Sequence, residues 1–246
     1  MNNRFLQSGI QTLQNVHRFR LYWIFLPSLL IWLGYFVVQF QSQSFFDYFH
    51  EFDIISIFGW EWELKSYISG VEWFYFLILF ELFKFIILTL LSPFNAYISE
   101  KYDQKLTGNQ FKFSWSRMIE DIFRGLIISI TGFSLEMFLT ILWLLINLIL
   151  PFEGLTPVIL LLISSFFFGF AYMDYSLERH RFDIIQSWQF AFKNGKTCFT
   201  IGLIFSLIML IPHAGIILAP PLITIYATNI FLTPNSQKNP ERVQQP

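Results

Sequence analysis

Of 246 residues, 54% are hydrophobic and 20% aromatic, and the net charge is −1. Only 13% are charged, about half of what a soluble domain uses to cover itself. This excludes a water-soluble globular surface and gives no bulk field for nucleic acid, so the natural solvent is lipid. The single cysteine, Cys198, excludes an intrachain disulfide and a multi-cysteine metal site, and reads as a small buried hydrophobe.

Taken in order, residues 1–20 form an N-terminal interfacial segment. Over 4–16, Phe5, Leu6, Gly9, Leu13 and Val16 share one helical face, with Gln7, Gln11 and Gln14 opposite, the pattern of a helix lying in the membrane surface. The run that follows is too long for a cleavable signal peptide and lacks a small-x-small site. Residues 21–40 are the first predicted spanning helix, with Pro27 near its start.

Residues 41–70 are acidic and aromatic. From Gln41 to Glu72 there are six acids against Lys65 alone, and Trp60, Trp62 and Trp73 surround them. Scarce Lys and Arg place this segment outside, in the periplasm.

Residues 71–94 are the second spanning helix, close to the ~20 apolar residues that cross hydrocarbon. It runs through Ser92-Pro93-Phe94-Asn95 into the charged stretch Tyr97 to Gly108. Lys101, Lys105, Lys112, Arg117 and Arg124 then mark the cytoplasmic side. Over 114–128 an amphipathic segment is expected, with Arg117–Asp121 and Glu120–Arg124 as i,i+4 pairs.

Residues 133–150 and 158–175 read as two apolar helices joined by a short turn, hence an antiparallel hairpin. Asp183 is placed to cap a short amphipathic helix carrying Ile184, Ile185, Trp188 and Phe192. Residues 197–232 form one apolar run broken at Ile211-Pro-His-Ala-Gly215, with basic residues on both flanks. Such a run must be a hairpin. Its halves are roughly 22–26 Å long as helix, short of the hydrocarbon thickness, so it is predicted to be re-entrant. Residues 233–246 are a polar tail, predicted to be disordered.

Three stretches match a known family. Ser92-Pro-Phe-Asn-Ala-Tyr-Ile-Ser-Glu-Lys-Tyr-Asp-Gln-Lys-Leu-Thr-Gly108 resembles the post-helix signature of the CysZ sulfate permeases. Tyr172-Met-Asp-Tyr-Ser-Leu-Glu-Arg-His180 resembles that family's Tyr-x-Asp-Tyr-Pro segment. Leu210-Ile-Pro212, Ala219-Pro220 and Ala227-Thr228 resemble its C-terminal hairpin. The resemblance covers about 90–232. It implies an all-α polytopic membrane protein with two long spanning helices, two partly penetrating hairpins, and homo-oligomers. It also implies passive, inward permeation of sulfate or a similar small anion across the bacterial inner membrane, both termini cytoplasmic. The family's anion site lies at a Gly-hydrophobic-Arg turn before the first long helix. That turn is absent here, and the nearest residues are Asn15-Val-His17-Arg18-Phe-Arg20. Its absence supports a second reading, a non-transporting membrane scaffold of the same superfamily.

Arg18 and Arg20, with His17, are the candidate anion-binding residues, because a guanidinium fork matches an oxyanion; the alternative is a pair of positive-inside anchors. Glu81 and Lys84 fall within the second span, where charges face protein or water, as a pore lining or as a mutual ion pair. Glu136 shares this status but is read as lying near a helix end. Glu100 and Lys105 occupy positions that are acidic and basic in the family the chain resembles, and read as a charge cluster below the pore or as a solvated face. Asp174 is expected to pair with Arg179 or Arg181, and His213 to sit at a hairpin tip where it could meet an anion. The four histidines lack metal-ligand spacing, and no phosphate loop, nucleophile elbow or HExxH occurs. The expectation is therefore no enzyme, cofactor or metal, and a partner set of lipid bilayer, a small anion and further copies of the chain.

Overall fold

A computed structural model describes residues 2–50, 54–57, 60–108, 115–150 and 153–232; the expected disordered tail at 233–246 lies outside them. The elements run α1 (Asn2–Arg18), α2 (Leu26–His50), β1 (Ile54–Ile57), β2 (Trp60–Glu63), α3 (Leu64–Thr107), α4 (Trp115–Ile149), α5 (Thr156–Arg179), α6 (Ile184–Lys193), α7 (Gly195–Met209) and α8 (Ala214–Leu232). A 3-10 turn, Tyr22–Phe25, leads into α2, and another, Glu153–Leu155, leads into α5. Apart from one short ribbon, the regular structure among the described residues is all helical.

Several boundaries differ from the sequence reading. α2 continues ten residues past the expected end at 40, because Gln41 to His50 contains no helix breaker. The amphipathic 114–128 and apolar 133–150 segments are one helix, α4, uninterrupted at Gly132. α3 is unbroken for 44 residues, with Pro93 inside it, so it spans about 66 Å. A proline there removes one backbone donor, a loss that packed neighbours make tolerable in membrane helices. The ribbon between α2 and α3 was not anticipated. It pairs Ile54 with Glu63 and Ile57 with Trp60, antiparallel. The alternation Trp60-Glu-Trp-Glu63 is the period-two signal that would have found it.

α8 is the hub, touching α1, α2, α3, α5 and α7. Its buried face carries Ile216, Ala219, Ile223, Ala227 and Ile230. The closest crossing is between α5 and α7. Ser165-x3-Gly169 on α5 meets Cys198-x3-Gly202 on α7, a small-xxx-small arrangement on both partners. A Cβ on Gly169 would lie 1.7 Å from the Cys198 carbonyl oxygen, and one on Gly202 1.6 Å from that of Ser165. Only glycine permits this approach. α3 and α4 cross with Ser92 against Gly125 and Phe85 against Gly132.

The buried polar residues line up too. Ser92, Asn95, Ser99 and Asp103 lie along one side of α3 and are buried. Ser176 Oγ donates to Thr228 Oγ1 at 3.2 Å, and Thr228 Oγ1 to Ser99 Oγ at 2.7 Å, tying α5, α8 and α3 together. Asn95 Nδ2 donates to the Tyr175 hydroxyl, which donates to the Leu88 carbonyl. Hydroxyls satisfied between helices are the usual glue where no hydrophobic force separates helix from lipid. Outside, α2 and α4 present large apolar side chains, among them Leu30, Phe36, Phe138 and Leu145.

Candidate functional site

The N-terminal basic residues converge where α1 ends. The turn after α1 is closed by backbone bonds from Arg20 to His17 and from Leu21 to Val16. Arg20 adopts a left-handed φ of 52°, a conformation a non-glycine residue holds only when its surroundings fix it. The residue before it, Phe19, is anchored in turn. Lys105 Nζ donates to the Phe19 carbonyl at 3.2 Å and lies 4.8 Å above its ring. The Arg18 guanidinium lies 5.9 Å from the same ring. His17 Nδ1 shares a 2.6 Å hydrogen bond with the Tyr22 hydroxyl. Beneath, Asn15 Nδ2 donates to the Tyr102 hydroxyl at 2.8 Å. Burial raises the Tyr102 pKa above 10.0 and the Asn15 bond pulls it partly back. The phenol therefore stays neutral, a fixed post beneath the cationic turn.

Lys105 thus joins the turn that carries His17, Arg18 and Arg20, although it stands 86 residues from Phe19 along the chain. Glu100 and Lys105 share α3, but five residues apart they point to different sides of it. Glu81 and Lys84 are helical in α3; their side chains lie outside the described residues. By register, Phe85 meets Gly132 across the antiparallel α3–α4 pair and Ser92 meets Gly125, which puts Glu81 at the level of Glu136. Glu136 is not near a helix end. It sits in the middle of α4, buried, and accepts from Ser164 Oγ on α5.

Asp174 is buried, and its partner is Arg124, neither Arg179 nor Arg181. Arg124 Nε donates to Oδ2 at 2.9 Å and an NH2 group to Oδ1 at 2.7 Å, a two-pronged clamp. The same guanidinium donates to the Phe182 carbonyl and to Ser187 Oγ, both at 2.8 Å. It was expected to pair with Glu120 along its own helix; its fork turns inward and binds α4 to α5 and α6. Arg179 instead donates to the Tyr175 carbonyl, and Arg181 is exposed in the turn with φ 61°. Sequence could have flagged Arg124 as the cation nearest the start of a long apolar run, but not its partner.

His213 is at the α7–α8 tip with φ 59°. Trp32 Nε1 of α2 donates to its Nδ1 at 3.2 Å, so the tip is docked on α2. Neither the tryptophan nor this contact had a sequence signal. Among the described residues, no group of three or more His, Cys, Asp or Glu could hold a metal ion.

Among the described residues, four helical stretches, Tyr22–Phe45, Ile122–Ile149, Thr156–Arg179 and Ala214–Leu232, are long and apolar enough to cross a bilayer. With their lipid-facing exteriors and interhelical hydroxyl bonds, they define a multi-pass helical membrane protein. Residues 5–220 match the family described as sulfate transporter CysZ/etoposide-induced protein 2.4, and the chain belongs to that family. No curated protein matches it.

Proposed function

We propose that this protein is a passive permease or channel for sulfate or a similar small oxyanion. The observation that carries the reading is the cationic turn: Arg18 and Lys105 lie over Phe19, with His17 and Arg20 in the same turn, at the junction of α1, α2 and α3. Guanidinium and ammonium donors held by a fixed turn can strip part of an oxyanion's hydration and replace it. Glu81, Lys84, Glu136 and Asp174 belong, on this reading, to charge networks deeper in the bundle, with His213 at the far tip. The arrangement is one membrane domain over 1–232. In it α2 and α3 span fully, and the α4–α5 and α7–α8 pairs penetrate partly, in a homo-oligomer of the bacterial inner membrane with both termini cytoplasmic. At 15 residues, α7 reaches about 22 Å, which supports the partial depth of the second pair.

Sulfate uptake into proteoliposomes, against chloride and phosphate, tests the activity. Uptake no greater than in empty liposomes overturns it. Arg18→Ala with Arg20→Ala should weaken sulfate-dependent thermal stabilisation; an unchanged shift returns both residues to an anchoring role. The scaffold reading has one observation of its own: Arg18 and Lys105 both contact Phe19, so part of the cationic cluster stabilises the turn itself. A protein that folds and oligomerises normally but carries no anion would decide for it. For topology, cysteine labelling at Ser44 from outside and Ser236 from inside should succeed, and labelling of both from one side breaks the arrangement.

A further inference from the structure

α6 is a ten-residue helix between the end of α5 and the start of α7. Its position is over-determined. Asp183 Oδ1 accepts from the Gln186 backbone while the Gln186 side chain accepts from that of Asp183, a complete capping box. Arg124 grips the Phe182 carbonyl before it and Ser187 within it. Ser187 and Ala191 are buried, and the Trp188 ring packs at a tilt against Phe170 of α5. The helix cannot roll, yet its outer face is split lengthwise. On one side Ile185 is 70% exposed and Phe192 69%. On the other lie exposed Gln186, Gln189 and Lys193. Arg181 before the helix and Lys196 after it are exposed as well. Within 181–196 these three cations face one acid, Asp183, and its carboxylate is spent on the cap.

α1 is built the same way. Ser8, Thr12 and Val16 are buried against α8, Leu6, Ile10 and Leu13 are exposed, and Gln7, Gln11 and Gln14 form the third side. Both helices border the same end of α8. Tyr226 OH donates to the Phe5 carbonyl and Asn229 Nδ2 to that of Ser8, while Phe231 packs on His180 and Phe190. They therefore lie at one membrane surface.

We propose that α6 is a lipid-binding helix whose Ile185 and Phe192 insert at the acyl boundary while Arg181, Lys193 and Lys196 hold anionic phospholipid headgroups. A phenylalanine and an isoleucine rimmed by cations are the two signals a surface helix needs for stable and charge-selective anchoring. This does not depend on the permease reading. The test uses the full chain in detergent with added phosphatidylglycerol or phosphatidylcholine, read by retention of lipid in native mass spectrometry. The wild type should retain phosphatidylglycerol in preference. R181Q/K193Q/K196Q, all surface changes, should lower that preference on the order of tenfold or more. Inorganic phosphate should not compete it away, since a free ion lacks the acyl chain. In vesicles containing phosphatidylglycerol, nitroxides at I185C and F192C, in a C198A background, should be shielded from an aqueous relaxant and one at Q186C should not. Equal retention of both lipids, full preference in the triple variant, displacement by inorganic phosphate, or water-exposed labels at 185 and 192 would each overturn the proposal.

Discussion

The first and last candidate spans of this protein have nearly the same hydropathy and opposite environments. Of the apolar stretch in Tyr22–Phe45, 11% is buried, and of that in Ala214–Leu232, 72%. The difference lies in side-chain size and chemistry. The outer helix carries Leu30, Leu33, Phe36 and Phe40, which fill space in lipid. The inner one carries Gly215, Ala219, Ala227, Thr224, Thr228 and Asn229, which let five neighbours approach and give them hydrogen-bond partners. In a membrane, greasiness reports on immersion, and smallness with polarity reports on the interior.

The strongest challenge to that contrast is steric. Gly202→Val pushes a branched side chain into the Ser165 carbonyl of α5; no monodisperse protein should be recovered on size exclusion. Gly34→Ala on α2 has nothing within 4 Å of the new methyl and should be neutral, or stabilising by about 0.5–1 kcal/mol. If both variants behave alike, the inner/outer distinction fails.

Next in size is the ion pair. Arg124→Ala leaves the Asp174 carboxylate buried without its clamp and should cost about 3–5 kcal/mol in denaturant titration. Arg124→Lys should recover only part, because an ammonium cannot make the two-pronged contact. A full recovery would reduce the cluster to simple charge. Thr228→Val is isosteric and deletes the link between Ser99 and Ser176; about 1 kcal/mol should be lost. Leu33→Ala, facing outward on α2, should shift the thermal midpoint least, within about 0.5 kcal/mol of wild type.

Much was legible without coordinates. The long apolar stretches were read as helices, though not with their full bounds, and the break at Pro212–Gly215 was read as a hairpin tip. Asp183 was named as a cap from its place before an amphipathic run. What was misread shares one cause. Asp174 was given the nearest cations in sequence, Arg179 and Arg181, and Arg124 was given Glu120. Local spacing can offer only local partners, and a carboxylate buried between helices is answered by whichever cation the packing delivers. Glu136 was set near a helix end because α4 was taken as two pieces. The ribbon at 54–63 was missed because its two strands are only four residues each.

The sequence by itself determined the solvent and the helices, since both follow from how many apolar residues stand in a row and where the backbone is interrupted. Tertiary structure alone decided that α8 is the hub, that Gly169 and Gly202 touch, and that Lys105 reaches Phe19 across 86 residues. These are pair distances between remote segments. They are fixed by which surfaces fit, and no window along the chain contains both partners.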